Sequence, residues 1–401
     1  MGNVSSSNGL EKRPRLAFRN TDGSHFPCWR QTSLGCIIEP YSEKVYGEHD
    51  YEVLTSSREG LQRQEDHFGS KQRHDTDGYN IIPFGYCTYR NRSDDGKFAF
   101  NINTISEKAI VSKFYPVFRF TNANSTFMAE FLNSSPRVKK KLSVLAVGTS
   151  QVVLSFEALK AAKFDLPCKD EQDKIAAFLE CLNTRIENQR TLVVALKKYK
   201  RGLLSQLIAQ KKAFDTSGEW KTVKLGHIFK ERTERAKENE TLLAVTISNG
   251  VQRRDEIDLK DNSSDDKSNY KCVYIGDIAY NTMRMWQGAS GVSPYNGIVS
   301  PAYTIVTPIR PDLHNMTFWA YYFKYSPLVQ TFQKYSQGLT SDTWNLKFPQ
   351  FSEIAVTMPP ISEQDKIAEC LSVFDEHCKC EDEKLQALLL VRTSLLQQLF
   401  I

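Results

Sequence analysis

Side chains of the types that do chemistry are present in this 401-residue chain, but they do not converge. Cys370, His377, Cys378 and Cys380 form the tightest grouping of metal-ligating types. They fall on a stretch of helical periodicity, where such spacings do not bring four ligands to one tetrahedral point. Pro311-Asp312 and Asp382-Glu383-Lys384 have the residue types of a metal-dependent nuclease. They lie far apart in the chain, and the triplet reads as an exposed helix face. The chain has no G-x-x-x-x-G-K-S/T phosphate loop, G-x-S-x-G elbow, H-E-x-x-H or G-x-G-x-x-G motif. An Asn-Pro-Pro-aromatic motif for holding a flipped base is missing too. No catalytic residue, metal ligand or cofactor is therefore assigned to this chain.

Side chains suited to nucleic acid are better represented. Tyr280 to Gly288 follows a β-type segment and carries Asn281, Arg284 and Gln287, whose amide and guanidinium groups match base edges. The corresponding earlier stretch carries Arg90 and Arg92, with Lys97 following. Arg253, Arg254 and the run Lys139 to Lys141 suit phosphate contacts or a solvated face. Thr149-Ser150 and Thr340-Ser341 each follow a glycine-containing turn and suit phosphate binding through hydroxyl and backbone N–H groups.

These candidates come in pairs because the chain contains a repeat. Glu171-Gln172-Asp173-Lys174-Ile175-Ala176 recurs as Glu363-Gln364-Asp365-Lys366-Ile367-Ala368, and Leu203-Leu204-Ser205-Gln206-Leu207 recurs as Leu395-Leu396-Gln397-Gln398-Leu399. Both pairs are 192 positions apart, 363 against 171 and 395 against 203. Upstream, Trp29, Gly85, Tyr89, Phe127 and Pro136 match Trp220, Gly276, Tyr280, Phe318 and Pro327 at an offset of 191. Framework residues agree while the intervening ones differ, the pattern of one fold carried twice with divergent surfaces. Within each copy, Ala109 to Phe120, Tyr274 to Tyr280 and Ile298 to Val306 have strand composition. Thr126 to Leu142 and Thr317 to Phe332 read as helices crossed by proline.

After Pro167 and Pro360 a long helix can begin, with Asp170 and Ser362 as N-caps. Alternating spacings of four and three run through Ile175, Leu179, Leu182, Ile186, Gln189, Val193, Leu196, Lys200, Leu203 and Leu207. The second copy runs through Ile367, Leu371, Phe374, Cys378, Glu381, Leu385, Leu388, Arg392, Leu395 and Leu399. Such seams pair helices. A parallel, in-register pair would place Lys200 beside Arg392. An antiparallel pair sets Lys200 near Glu381 and Gln189 near Arg392, and is expected. Residues 168 to 212 carry ten Lys/Arg and five Asp/Glu, whereas residues 360 to 401 carry four and eight, so the helices attract. The alternative is that each helix packs only on its own domain.

The chain is 40% hydrophobic and 25% charged, with a formal charge of +5. No apolar run is long enough to span a bilayer, and nine cysteines lie scattered without a C-x-x-C pair. A cytoplasmic protein is expected, with no membrane partner.

Leu166-Pro167 followed by Glu171 to Ala176, the ending Tyr199-Lys200-Arg201-Gly202-Leu203-Leu204-Ser205-Gln206-Leu207, and their second copies closely resemble the specificity subunit of a Type I restriction-modification system. Arg13-Pro14-Arg15-Leu16-Ala17-Phe18 with Trp29 and Leu34-Gly35 extends the likeness over almost the whole chain. The resemblance implies two α/β target recognition domains in tandem, separated by two long helices forming an antiparallel coiled coil with pseudo-two-fold symmetry. The expected layout is a disordered N-terminus over 1–12, recognition domains over 13–167 and 213–359, and helices over 168–212 and 360–401. It further implies a non-catalytic subunit whose domains each read half of a bipartite double-stranded DNA site. The helices would set the spacer and dock two methyltransferase subunits. S-adenosylmethionine, ATP and Mg²⁺ would then sit on partner subunits, including any restriction subunits recruited. A fused Type II-like system and a single-chain DNA nuclease remain as alternatives.

Overall fold

The computed structural model describes residues 14–69, 75–214, 218–236, 240–257, 266–340 and 342–400. The N-terminal segment expected to be disordered and Ser341 lie outside the described residues. Contacts divide the chain into two units, residues 1–189 with 384–401, and residues 190–383. The divisions fall inside the long helices, Lys169–Ile208 and Ile361–Leu399. The cause is that the helix ends are part of the domain cores, so a boundary at Pro167 or Pro359 does not separate the packing.

In the first unit an antiparallel sheet runs in the order Ile38–Tyr41, Val117–Phe120, Cys87–Tyr89, Phe100–Ile102. Helices Ser125–Ser134 and Pro136–Leu145 cover it, capped by the side chains of Asn124 and Ser135. Trp29, Tyr89, Phe100, Phe118, Phe127 and Phe131 fill the space between. Ile175 and Leu179 of one long helix, Leu396 and Leu399 of the other, and Phe400 just beyond it close the same core. A second sheet of four strands carries the hairpin Glu52–Ser57/Gly60–Arg63, with Glu52–Ser57 parallel to Lys108–Val111.

The second unit repeats this plan. Its main sheet has the order Phe229–Glu231, Tyr303–Pro308, Ile278–Asn281, Ser290–Val292. Helices Met316–Tyr322 and Ser326–Tyr335 lie over it. Trp319, Phe318, Phe323, Phe332 and Phe351 are fully buried there, joined by Leu204, Leu207, Ile367 and Leu371 from the long helices. The hairpin Leu243–Thr246/Gly250–Arg253 corresponds to that of the first unit, and a single parallel bridge, Leu242 to Ile298, replaces its parallel strand pair.

Two of the expected strands are each two elements, and the third is a turn followed by a strand. Tyr274 to Tyr280 is interrupted at Gly276, whose positive φ of 89° turns the chain, while the Asp277 carboxylate accepts the Tyr274 N–H. Ala109 to Phe120 and Ile298 to Val306 break before Pro116 and around Pro301, which cannot donate to a sheet. The two expected helices divide at Pro136 and Pro327, which occupy the first turns of the following helices.

Candidate nucleic-acid interface

In the second unit the central strand ends at Asn281, whose side-chain oxygen accepts the Met283 N–H at 3.0 Å and starts a tight turn. Met285 is fully buried and anchors a short 3-10 turn, Met285–Gln287, which Gly288 ends at φ +81°. This leaves Arg284 exposed and Asn281 and Gln287 half-buried. Trp286 is half-buried too: its indole N–H donates to Met283 O at 3.0 Å, and its ring meets Trp344 edge-on at 5.1 Å. Trp344 belongs to the loop closed by the bridge Gln337 to Asn345, and Leu346 N–H donates to Thr282 O at 2.9 Å. The structure thus packs two separately predicted segments together, the Asn281 loop and the turn carrying Thr340. Thr340 is exposed, and its backbone N–H donates to the Thr343 hydroxyl at 3.1 Å.

The first unit does the same with different side chains. Arg90, Arg92 and Lys97 are exposed on the loop after Cys87–Tyr89. They line one depression of about 160 Å³ together with Arg58. Arg92 lies 4.8 Å over the Phe114 ring. Asp95 accepts from the Ser93 hydroxyl at 2.9 Å and pairs with Arg58 at 2.6 Å. The Ser93 bond, then Lys97 N–H and Arg58, hold its carboxyl down at about 2. Thr149 and Ser150 are exposed on the loop closed by the Val147–Val153 bridge, and Val152–Val153 pairs with Arg92–Ser93. Sequence reasoning missed Arg58, which sits on a hairpin turn with no motif to mark it.

Of the remaining basic candidates, Arg253 and Lys141 are engaged locally, while Lys139 and Lys140 are exposed. Arg253 pairs with Asp255 at 3.1 Å and lies 3.7 Å from Glu256. Arg254 is half-buried, its backbone N–H bonded to Leu242 O. Lys141 donates to Lys163 O at 2.6 Å and lies over the Phe164 ring.

The repeated Glu-Gln-Asp sequence has a structural explanation. Gln172 takes the Asn124 N–H at 2.9 Å and donates to Pro167 O at 2.9 Å; Asp173 accepts from the Asn124 amide at 2.7 Å. Asn124 itself caps the Ser125–Ser134 helix through the Phe127 N–H. In the second unit Gln364, Asp365, Asn315, Pro359 and Phe318 make the same set. One amide thereby joins the start of each long helix to the start of a domain helix.

The model of the Type I restriction modification DNA specificity domain matches this chain twice, over residues 39–196 and 217–390. The chain belongs to that family. Its fold is also that of solved relatives. The S subunit of a Type I system from M. genitalium is 16% identical, with 97% of this chain and 99% of that chain covered and a TM-score of 0.57. A chain from a type I R-M system, solved for its complex assembly and conformational transition, is 16% identical, covers 93% and 97%, and gives 0.54.

In this specificity protein every expected seam position of both helices is buried or half-buried. Within the first unit, Ile186 is buried and Leu182, Leu388 and Leu395 are half-buried. Arg392 there binds Asn183 at 2.7 Å and Glu130 at 2.6 Å. Within the second, Leu196 and Leu203 are half-buried, Phe374 meets Tyr199 at 5.5 Å, and Lys197 pairs with Asp382 at 3.1 Å. Lys200 pairs with Asp375 and lies 4.6 Å over the Tyr321 ring. Buried Glu381 has His377 at 3.6 Å. The segments are antiparallel in each unit, but the register differs from expectation. Lys200 meets Asp375 rather than Glu381, and Arg392 meets Glu130 and Asn183 rather than Gln189. Burial of the apolar helix ends in the domain cores fixes the register; the long cationic side chains then take the carboxylates within reach. The helices begin at Lys169 and Ile361, so Asp170 and Ser362 lie in the first turn rather than at the caps.

Among the described residues no helix is long and apolar enough to cross a membrane.

Proposed function

We propose that each unit of this DNA specificity subunit reads one half of a bipartite duplex site. The observation that carries this reading is the pairing of the same two loops in both units, one following the central strand and one carrying Thr149 or Thr340 after a glycine. The framework is common, and the side chains presented differ. Arg90, Arg92 and Lys97 stand in the first unit where Asn281, Arg284 and Gln287 stand in the second. Arginine suits the O6/N7 edge of guanine, and Asn or Gln suits the N6/N7 edge of adenine. Thr149 and Thr340 then serve phosphates, fixing orientation without reading sequence. Arg253, already neutralised by Asp255, contributes less than Arg284.

In this reading the two long helices set the unread spacer and dock two methyltransferase subunits, to which restriction subunits can add. This chain supplies no active site. S-adenosylmethionine, ATP and Mg²⁺ belong to those partners, whose products are methylated or cut DNA.

Selection of bound duplexes from a random library by the full chain, with whatever subunits co-purify from its own cells, tests the reading. Two fixed blocks separated by unread positions are expected. Arg284→Ala should cost about 1 to 3 kcal/mol of discrimination in one block only. A single contiguous site, or no enriched sequence, overturns the reading.

A further inference from the structure

Lys324 follows the helix Met316–Tyr322, and most of its side chain is buried. Its ammonium donates to Ile247 O at 3.1 Å and to Gly288 O. Ile247 lies in the turn of the hairpin Leu243–Thr246/Gly250–Arg253, and Gly288 ends the loop that begins at Asn281. The lysine stem backs the same glycine: a Cβ placed there would lie 3.7 Å from Lys324 Cδ. Among the described residues the amine has no acidic partner, whereas a buried cation ordinarily takes a carboxylate. Burial first, then the charge of Lys200, lowers its pKa to about 8. A methionine would fill this space without desolvating a charge, so the lysine costs stability that its two carbonyl contacts must justify.

The first unit ties the same places by other means. There Arg58, on the hairpin turn, pairs with Asp95 of the loop at 2.6 Å. Asn133, at the position 191 residues before Lys324, accepts the Phe100 N–H at 2.9 Å and donates to Phe100 O at 2.7 Å just beyond the loop. The Arg58–Asp95 pair in one unit and Lys324 in the other each tie one loop to one hairpin, which indicates a shared mechanical need, because a loop that reads bases must hold its side chains in fixed positions.

We infer that Lys324 is a specificity-positioning residue, a buried cation that fixes the Asn281–Gly288 loop against the neighbouring hairpin so that Arg284 and Gln287 present one geometry to DNA. This rests on the proposed reading of half-sites by each unit. The test compares wild-type full chain, Lys324→Met and Arg284→Ala on a random duplex library, alongside thermal unfolding and amide exchange. Lys324→Met should lose about tenfold in discrimination within the block that Arg284→Ala weakens, and keep the other block intact. Its melting temperature should not fall, while amides of residues 282–289 exchange faster. Asn133→Ala should weaken the opposite block. Undiminished discrimination in Lys324→Met overturns the positioning role. So does equal loss from both blocks with a lowered melting temperature, since the lysine would then only hold the fold. Absence of two blocks in the wild type overturns the half-site reading itself, and that arm is scored independently of any variant.

Discussion

Replacing Gln364 by Leu tests whether one buried amide joins each recognition domain to its long helix. Gln364 is fully buried; its side chain accepts the Asn315 N–H at 3.0 Å and donates to Pro359 O at 3.0 Å and Leu313 O at 3.3 Å. Leucine has nearly the same volume, so little cavity term enters. What changes is that the Asn315 N–H and the Pro359 carbonyl lose their partner, at about 1 to 3 kcal/mol for each orphaned buried group. The third bond is longer and adds little, which gives a total of about 2 to 6 kcal/mol. Because the chain has two units, a single unfolding free energy is not defined, and the readout has to be local. Native-state amide exchange in the Met316–Tyr322 helix should accelerate by about thirtyfold or more, the equivalent of about 2 kcal/mol. Exchange in the Ser125–Ser134 helix should not change. Gln172→Leu should reverse that pattern. If Gln364→Leu leaves the Met316–Tyr322 helix at the wild-type rate, the Glu-Gln-Asp repeat is not a junction and its recurrence needs another cause.

The buried lysine gives a pH signature. Its pKa near 8 in the folded chain lies below the unfolded value, so between the two the unfolded state holds more protons and stability rises with pH. In the unfolding transition of the second unit, wild type should therefore gain up to about 3 kcal/mol on Lys324→Met between pH 8 and pH 10.5, in denaturation curves recorded side by side; parallel curves would contradict the burial. The helix register predicts that Lys200 couples to Asp375 and not to Glu381. Double-mutant cycles with alanine should give about 0.5 to 1 kcal/mol for the first pair and agree with additivity for the second, the half-exposed Asp375 keeping the coupling small. Phe114→Ala removes the ring beneath Arg92 and should weaken the first block by about 0.5 to 1 kcal/mol, measured by competition between library duplexes. Equal affinity for every duplex would leave the stacking without a role.

The sequence carried more about framework than about interface. Trp29, Tyr89 and Phe127 are buried, as are Tyr280 and Phe318 at the 191-residue offset, with Trp220 half-buried against the second core, because a repeated core must repeat its large side chains. Breaks at Pro136 and Pro327 were equally readable, since proline dictates local geometry without help from tertiary structure. The interface was readable only as types of side chain. Nothing in the spacing of Arg90 and Arg92 points to Arg58, which reaches the same depression from another sheet. Lys324 falls within a stretch of helical composition, where a lysine ordinarily marks a solvated face; its burial depends on a hairpin turn 77 residues away. Such placements arise from packing between distant segments, and one sequence without its fold holds no local trace of them.

The long helices show where charge and apolar burial divide the work. Opposite net charge and the seam positions were enough to expect antiparallel segments, and both units have them. Register was another matter. Matching polar seam residues to one another assumes that the best electrostatic pairing decides, yet half-exposed ion pairs contribute at most about 1 kcal/mol each. Leu204, Leu207, Ile367 and Leu371 in one core, and Ile175, Leu179, Leu396 and Leu399 in the other, each contribute about 1.5 to 3 kcal/mol when fully buried. A shift of even one residue would withdraw several of them together. Register is therefore set where the helices enter the domains, and Lys200 and Arg392 adapt by reaching off the seam, one to Asp375 and the other to Glu130. Recombining recognition domains on these helices should accordingly tolerate changes of surface charge, provided that the apolar residues at each junction travel with their domain.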